Sequence, residues 1–234
     1  MTKFSKDDCL ADLKLRILST ELAPGSIMDE ASLAQHYGLS RTPLREVLHR
    51  LEGSGYILSE DNRSAKVASM DITTMRTFFQ TAPMVYANIA RLAAESRTSA
   101  QLESLKAAQD DFITATNAQN PAATAIANHR FHATIGAMAH NIYLEASLDR
   151  LLIDHTRLSQ TFYRPASPAE KLLITKALDQ HDAMITAIEA GEGALAIDLT
   201  LQHWDLSRDR LERFVRPDPL PVDVISIKDR RHAI

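Results

Sequence analysis

The chain has 234 residues, 45% hydrophobic and 24% charged, with a formal net charge of −4. That length supports one or two domains with a sizeable core, and the composition excludes a disordered chain. The acidic balance excludes a general nucleic-acid coat but leaves room for a local DNA site. With only 7 glycines and abundant Ala and Leu, the bias is towards helix. A single cysteine, Cys9, excludes an intrachain disulfide and fits a reducing, cytoplasmic setting. No apolar run reaches the roughly 20 residues that span a bilayer. The charged start at Lys3, Lys6, Asp7 and Asp8 lacks the apolar core of a signal peptide, so no membrane partner is expected.

In chain order, the first predicted helix runs from Asp7 to Glu21, with Leu10, Leu13, Ile17 and Leu18 on one side. Leu22-Ala23-Pro24-Gly25 reads as a turn, and Ile27-Met28 as a short extended piece. From Asp29 to Tyr56 the pattern is helix, tight turn, helix, stop. Leu33 and Ala34 face inward from the first helix. Gly38 allows the positive φ of a sharp helix exit, and Leu39 plugs the turn. Ser40 is placed to cap the second helix, and Pro43 fits only its first turn. Leu44, Val47, Leu48 and Leu51 form a 3.6-residue stripe; Arg41, Thr42, Arg45, His49 and Arg50 occupy the other face. This is the layout of a helix-turn-helix whose second helix enters a major groove.

Tyr56–Ser59 and Ala65–Ala68 read as two short strands around a tip, a wing. Asn62 at that tip tolerates positive φ, and Arg63 could reach a phosphate or the minor groove. Beyond a boundary at Met70-Asp71, helical periodicity predicts helices over 72–95, 100–117, 121–139, 142–161, 168–189 and 192–215. Their short connections favour an antiparallel bundle. Pro83 should kink or break the first of them. The expected division is residues 1–70 as the winged helix-turn-helix, 71–215 as the helical bundle and 216–234 as an extended tail. The fold class is mainly α, with a small β wing in the N-terminal part and an all-α bundle behind it.

Three histidines lie on apolar faces of three bundle helices. His132 aligns with Ala125, Asn128, Ile135 and Ala139; His181 with Ile174, Ala177, Met184 and Ile188; His203 with Ala196, Leu199 and Leu206. One such histidine is most often a satisfied core residue. Three on helices that can converge read better as a site, and imidazoles suit zinc and similar dications. Arg157, Tyr86 and Tyr163 are further candidates for lining that pocket and holding an effector, with Arg157 suited to clamp a carboxylate.

Two resemblances sharpen these readings. Leu33-Ala34, Gly38, Ser40-Arg41-Thr42-Pro43, Arg45-Glu46, Leu48, Leu51 and Gly55 resemble the DNA-binding motif of GntR-type bacterial regulators. The string from His181 to Gly191, Phe131-His132, Asn141 and His203 resemble the FCD domain, the helical effector module of the FadR branch. That resemblance implies a metal held by Asn128, His132, His181 and His203, with Asn128 standing where the pattern has aspartate. Zinc is the expected ion, with nickel or manganese as alternatives.

The resulting expectation is a homodimeric, ligand-responsive repressor of a metabolic operon that binds double-stranded operator DNA. Ser40, Arg41, Thr42, Arg45, Arg50, Asn62 and Arg63 would meet the DNA, and a small carboxylate-containing metabolite would be sensed beside the metal. The alternative is a metal-dependent hydrolase on the same bundle. Against it, Asp179, Asp182 and Asp205 flank the histidines at the wrong helical phase for a general base, and no catalytic triad or phosphate loop is present.

Overall fold

The computed structural model describes residues 4–59 and 65–212, with side chains to 206. The N-terminal part comprises α1 (Lys6–Leu18), α2 (Glu30–Tyr37), α3 (Arg41–Gly53), β1 (Ile57–Leu58) and β2 (Lys66–Val67). A capping box between Ser5 and Asp8 starts α1, and the Asp29 carboxylate caps α2 at the Ser32 amide. Gly38 ends α2 at φ 64°, a conformation that costs a residue with a Cβ. α3 then starts immediately. Ser40 occupies its N-cap position with extended backbone, but its hydroxyl makes no capping bond. The expected Ser40 cap is therefore positional only. β1 and β2 pair antiparallel, Ile57 with Val67 and Leu58 with Lys66, and Ile27 adds a single bridge to Lys66.

The core of this part is built from Leu13, Ile17, Tyr37, Leu44, Leu51 and Ile57, all buried. Tyr37 donates its hydroxyl to Asp12 at 2.5 Å, so the polar tip of a buried ring is satisfied. Ile153 belongs to the same cluster although it comes from the C-terminal helices, and Ile126 packs against it.

Six helices follow: α4 (Ile72–Ser96), α5 (Ser99–Asn117), α6 (Pro121–Met138), α7 (Ile142–Phe162), α8 (Pro168–Ala190) and α9 (Gly193–Glu212). Their starts carry side-chain caps from Asp71, Thr98, Asn120, Asn141 and Ser167, and proline opens α6 and α8. α4 is the hub, packed against α6, α7, α8 and α9. Its small residues Ala82, Ala90, Ala93 and Ala94 let the neighbours approach closely. Pro83 does not break α4, which continues from Ile72 to Ser96. The break expected there is overruled by burial: Ala82 and Val85 on either side of Pro83 are both core residues, and packing outweighs the one lost backbone bond. Among the described residues no helix is long and apolar enough to cross a membrane.

Candidate functional site

The exposed face of α3 presents Arg41, Thr42, Arg45, His49 and Arg50, with Ser40 exposed just before it. Leu44, Val47, Leu48 and Leu51 bury the opposite face, so the helix cannot rotate without losing its core. Arg45 Nε donates to Glu30 at 3.0 Å, and Arg50 Nη1 donates to Asp7 at 2.8 Å. Arg45 and Arg50 are 62% and 55% exposed in these pairs, so solvent screens them and a phosphate can displace the carboxylate. Arg50 is drawn towards the start of α1, which sets it apart from Arg41 and Arg45 at the other end of α3. Asn62 and Arg63, expected at the wing tip, lie outside the described residues.

Behind this face, the bundle brings the three histidines together. Ligand-capable atoms of His132, His181 and His203 all lie within 4.8 Å of one another, contributed by α6, α8 and α9. His132 and His181 are buried, and each leaves its Nε2 with no hydrogen-bond partner. Asn128, one turn before His132, is buried with an unpartnered Oδ1. Buried polar atoms are rarely left unpaired, and three in one place mark a site with something to bind. Burial holds the imidazoles of His132 and His181 well below their usual pKa, and that of His203 down at about 4. The rings are therefore neutral at physiological pH and their lone pairs are available, as metal binding requires. Neutral imidazoles and an amide oxygen are the donor set of a dication such as zinc.

His155, which sequence reasoning did not single out, joins the group. Its Nδ1 shares a 2.8 Å hydrogen bond with the Tyr86 hydroxyl, and its ring centre lies 5.4 Å from that of His132. Two voids of about 10 Å³ each adjoin the histidines. Tyr86, His132, Met184 and Thr200 line one; Asn128, His155, Ser159, Tyr163 and His203 line the other. Each is the size of about one water molecule. Tyr163 also lines a cavity of about 410 Å³ that opens past Arg164 and Lys171. A larger groove of about 630 Å³, between α1 and helices α5 and α6, shares no residue with the histidine site.

Of the three residues expected at an effector pocket, Tyr86 and Tyr163 each line one of these voids and Arg157 lines neither. Its buried guanidinium pairs with Asp154 and donates to the Ala68 carbonyl at 2.6 Å, at the junction with the N-terminal part. The phase of α7 explains the difference: His155 and Ser159 face the histidines, while Asp154 and Arg157 face the wing. Asp179, Asp182 and Asp205 are all exposed, so the bundle helices aim none of the three into the triad.

Comparison with known proteins agrees with this architecture. Residues 6–67 match the model of the bacterial regulatory proteins of the gntR family, and residues 84–206 match that of the FCD domain. The second match spans more than half of the chain, which belongs to the FCD-containing branch of the GntR family of transcription regulators. The chain is 27% identical over 89 residues to the Nta operon transcriptional regulator of Aminobacter aminovorans, covering 38% of this chain and 42% of that protein. It is 33% identical over 58 residues to YdhC, an uncharacterized HTH-type transcriptional regulator of Bacillus subtilis, covering 25% and 26%. The matched stretches thus span less than half the length of either relative. The fold is shared with E. coli McbR/YncC at TM-score 0.76 and 18% identity, over 90% of this chain and 98% of that one. It is also shared with a GntR regulator from Rhodococcus sp. RHA1 at TM-score 0.60 and 14% identity, over 90% and 95%.

Proposed function

We propose that the protein is a metal-containing, ligand-responsive repressor that binds operator DNA as a homodimer. The observation that carries this reading is one chain joining an arginine-bearing α3 to a buried three-histidine cluster. Arg41 and Arg45, with Ser40 and Thr42, would contact base edges and phosphates, and Arg50, Asn62 and Arg63 would flank them. Two α3 helices of a dimer would meet successive major grooves of a pseudo-palindromic site. His132, His181 and His203 would hold a dication, zinc being the best fit, with Asn128 as a neutral fourth donor. When bound, the ion offers a Lewis-acidic attachment point for a carboxylate.

The voids beside the histidines are small, and Tyr163 is a wall that one of them shares with the 410 Å³ cavity, so displacing it would open a route for a metabolite. Arg164 and Lys171 on that cavity favour an anionic visitor. The effector would act through the difference in its affinity for two arrangements of the DNA-binding parts. The test pairs metal analysis of the purified protein with fluorescence anisotropy on DNA from its own upstream region. Retention of zinc that is lost in His132→Ala and His181→Ala, with saltable, saturable DNA binding, supports the reading. Wild-type protein that binds neither zinc, nickel nor manganese, or ignores that DNA, overturns it.

A further inference from the structure

Gln109 is a buried amide on the interior face of α5, a helix that supplies none of the three histidines. Two acceptors on α8 fix its orientation. Its Nε2 donates to the Leu178 carbonyl at 3.3 Å and to Asp182 Oδ1 at 2.9 Å. A backbone carbonyl can only accept, so the amide nitrogen must be the group turned to the Leu178 carbonyl, and Oε1 is left pointing away from that carbonyl. Oε1 stands 3.0 Å from His181 Nδ1. An amide oxygen has no proton to give, so the ring nitrogen carries it. In a neutral imidazole the second nitrogen is then a bare lone pair. That nitrogen, Nε2, is the one buried without a partner in a ring of the three-histidine group. The ring plane is held separately: Phe131 stacks on it with centres 3.8 Å apart and planes 8° from parallel.

We infer that Gln109 is a positioning residue for the metal, holding His181 in the one tautomer that offers Nε2 to an ion. The order of control runs from the Leu178 carbonyl and Asp182 through the Gln109 amide to the imidazole. Gln180 makes the corresponding contact to His203, with Oε1 at 3.1 Å from Nδ1. Outer hydrogen bonds of this kind fix both the tautomer and the direction of a ligating histidine. Without Gln109 the His181 proton is free to move to Nε2, where it blocks coordination.

This inference rests on the proposal that the histidines hold a dication, and its test separates the two. Full-length protein with 15N-labelled histidine is measured metal-free by long-range 15N–1H NMR, which reports which ring nitrogen bears the proton. Zinc affinity is then measured by competition with a chelator. Wild-type His181 is expected in the Nδ1–H form. Gln109→Met is expected to show mixed tautomers and a zinc affinity lower by roughly 10–100-fold. Gln109→Glu combined with Asp182→Asn keeps an oxygen towards Nδ1 and turns the acceptor at 182 into a donor for the second carboxylate oxygen, giving up only the longer contact to the Leu178 carbonyl, and should restore both. An Nε2–H form in the wild type, or an unchanged tautomer and zinc affinity in Gln109→Met, overturns the inference. A wild type with Nδ1–H that binds no zinc overturns the metal reading and leaves the hold of Gln109 on the ring standing. Should Gln109→Met fail to fold, the paired exchange decides: retention of Nδ1–H with wild-type zinc affinity supports the inference, and loss of either refutes it.

Discussion

Arg157 on α7 reaches out of the bundle to donate Nη1 to the carbonyl of Ala68, just past the second wing strand, at 2.6 Å. Its Nη2 pairs with Asp154 one turn earlier, and Arg150 approaches the same carboxylate at 3.0 Å from the other side. Gln160 adds a bond to the Leu18 carbonyl at the end of α1. One helix therefore grips the DNA-binding part at two backbone points while its neighbouring residues line the histidine site.

Arg157→Met removes a buried cation and leaves the Asp154 charge and the Ala68 carbonyl short of a partner. Breaking one side of a buried pair costs about 3–5 kcal/mol, and Arg150 offsets part of it. A loss of about 3 kcal/mol in urea denaturation is expected. A loss under about 1 kcal/mol would show that the pair contributes little to joining the two parts.

Gly55 sits at φ 79°, and a Cβ there would lie 2.6 Å from Cδ of Arg150. Gly55→Ala thus meets both backbone strain and a displaced arginine. The strain alone is worth about 1–2 kcal/mol. Thermal unfolding should show that loss, and adding Arg150→Ala should relieve the clash without relieving the strain. Full rescue by the second change would assign the whole effect to space.

Arg45→Ala should weaken operator binding at least about tenfold, some 1.4 kcal/mol, while circular dichroism stays native. Its pair with Glu30 is solvent-exposed, so little stability is at stake. Arg50→Ala should cost less, since that side chain leans towards Asp7. Equal binding by Arg45→Ala in anisotropy titrations would take Arg45 out of the interface.

Burial depresses His155 to about 3, against 6.5 for a free imidazole. The unfolded chain then binds the extra proton first, so stability is complete above about pH 6.5 and falls as pH drops towards the folded value. At about pH 5 this one ring costs about 2 kcal/mol. Metal-free protein should lose stability steadily between about pH 6.5 and 4, and His155→Gln should flatten part of that slope. A denaturation midpoint that does not move over this range would mean that acid reaches the rings without unfolding the bundle.

The helix-turn-helix was legible because its signals are local. Gly38, Pro43 and the stripe from Leu44 to Leu51 each constrain their own neighbourhood, and the structure follows them. The convergence of His132, His181 and His203 was legible because each shares a face with apolar residues that must point inward. Arg157 was misplaced because every residue from Leu152 to Gln160 is buried, so periodicity could not say which of two cores each side chain entered. Gln109 was overlooked although its signal was present, a polar residue on the face of α5 shared by Leu105, Ala108 and Phe112. Its partner is 72 residues away, and no local pattern encodes that meeting.

The unpartnered Nε2 atoms of His132 and His181 have a consequence for the lifetime of the molecule. Each walled-in nitrogen without a partner costs the folded chain about 1–3 kcal/mol. A bound cation would remove that cost and add its own binding energy to the folded side only. A shift of that size changes how often proteases catch a chain open, and so changes abundance several-fold. If the site does hold an ion, cells short of it would clear the empty protein faster, and metal supply would set how many copies are available to bind DNA.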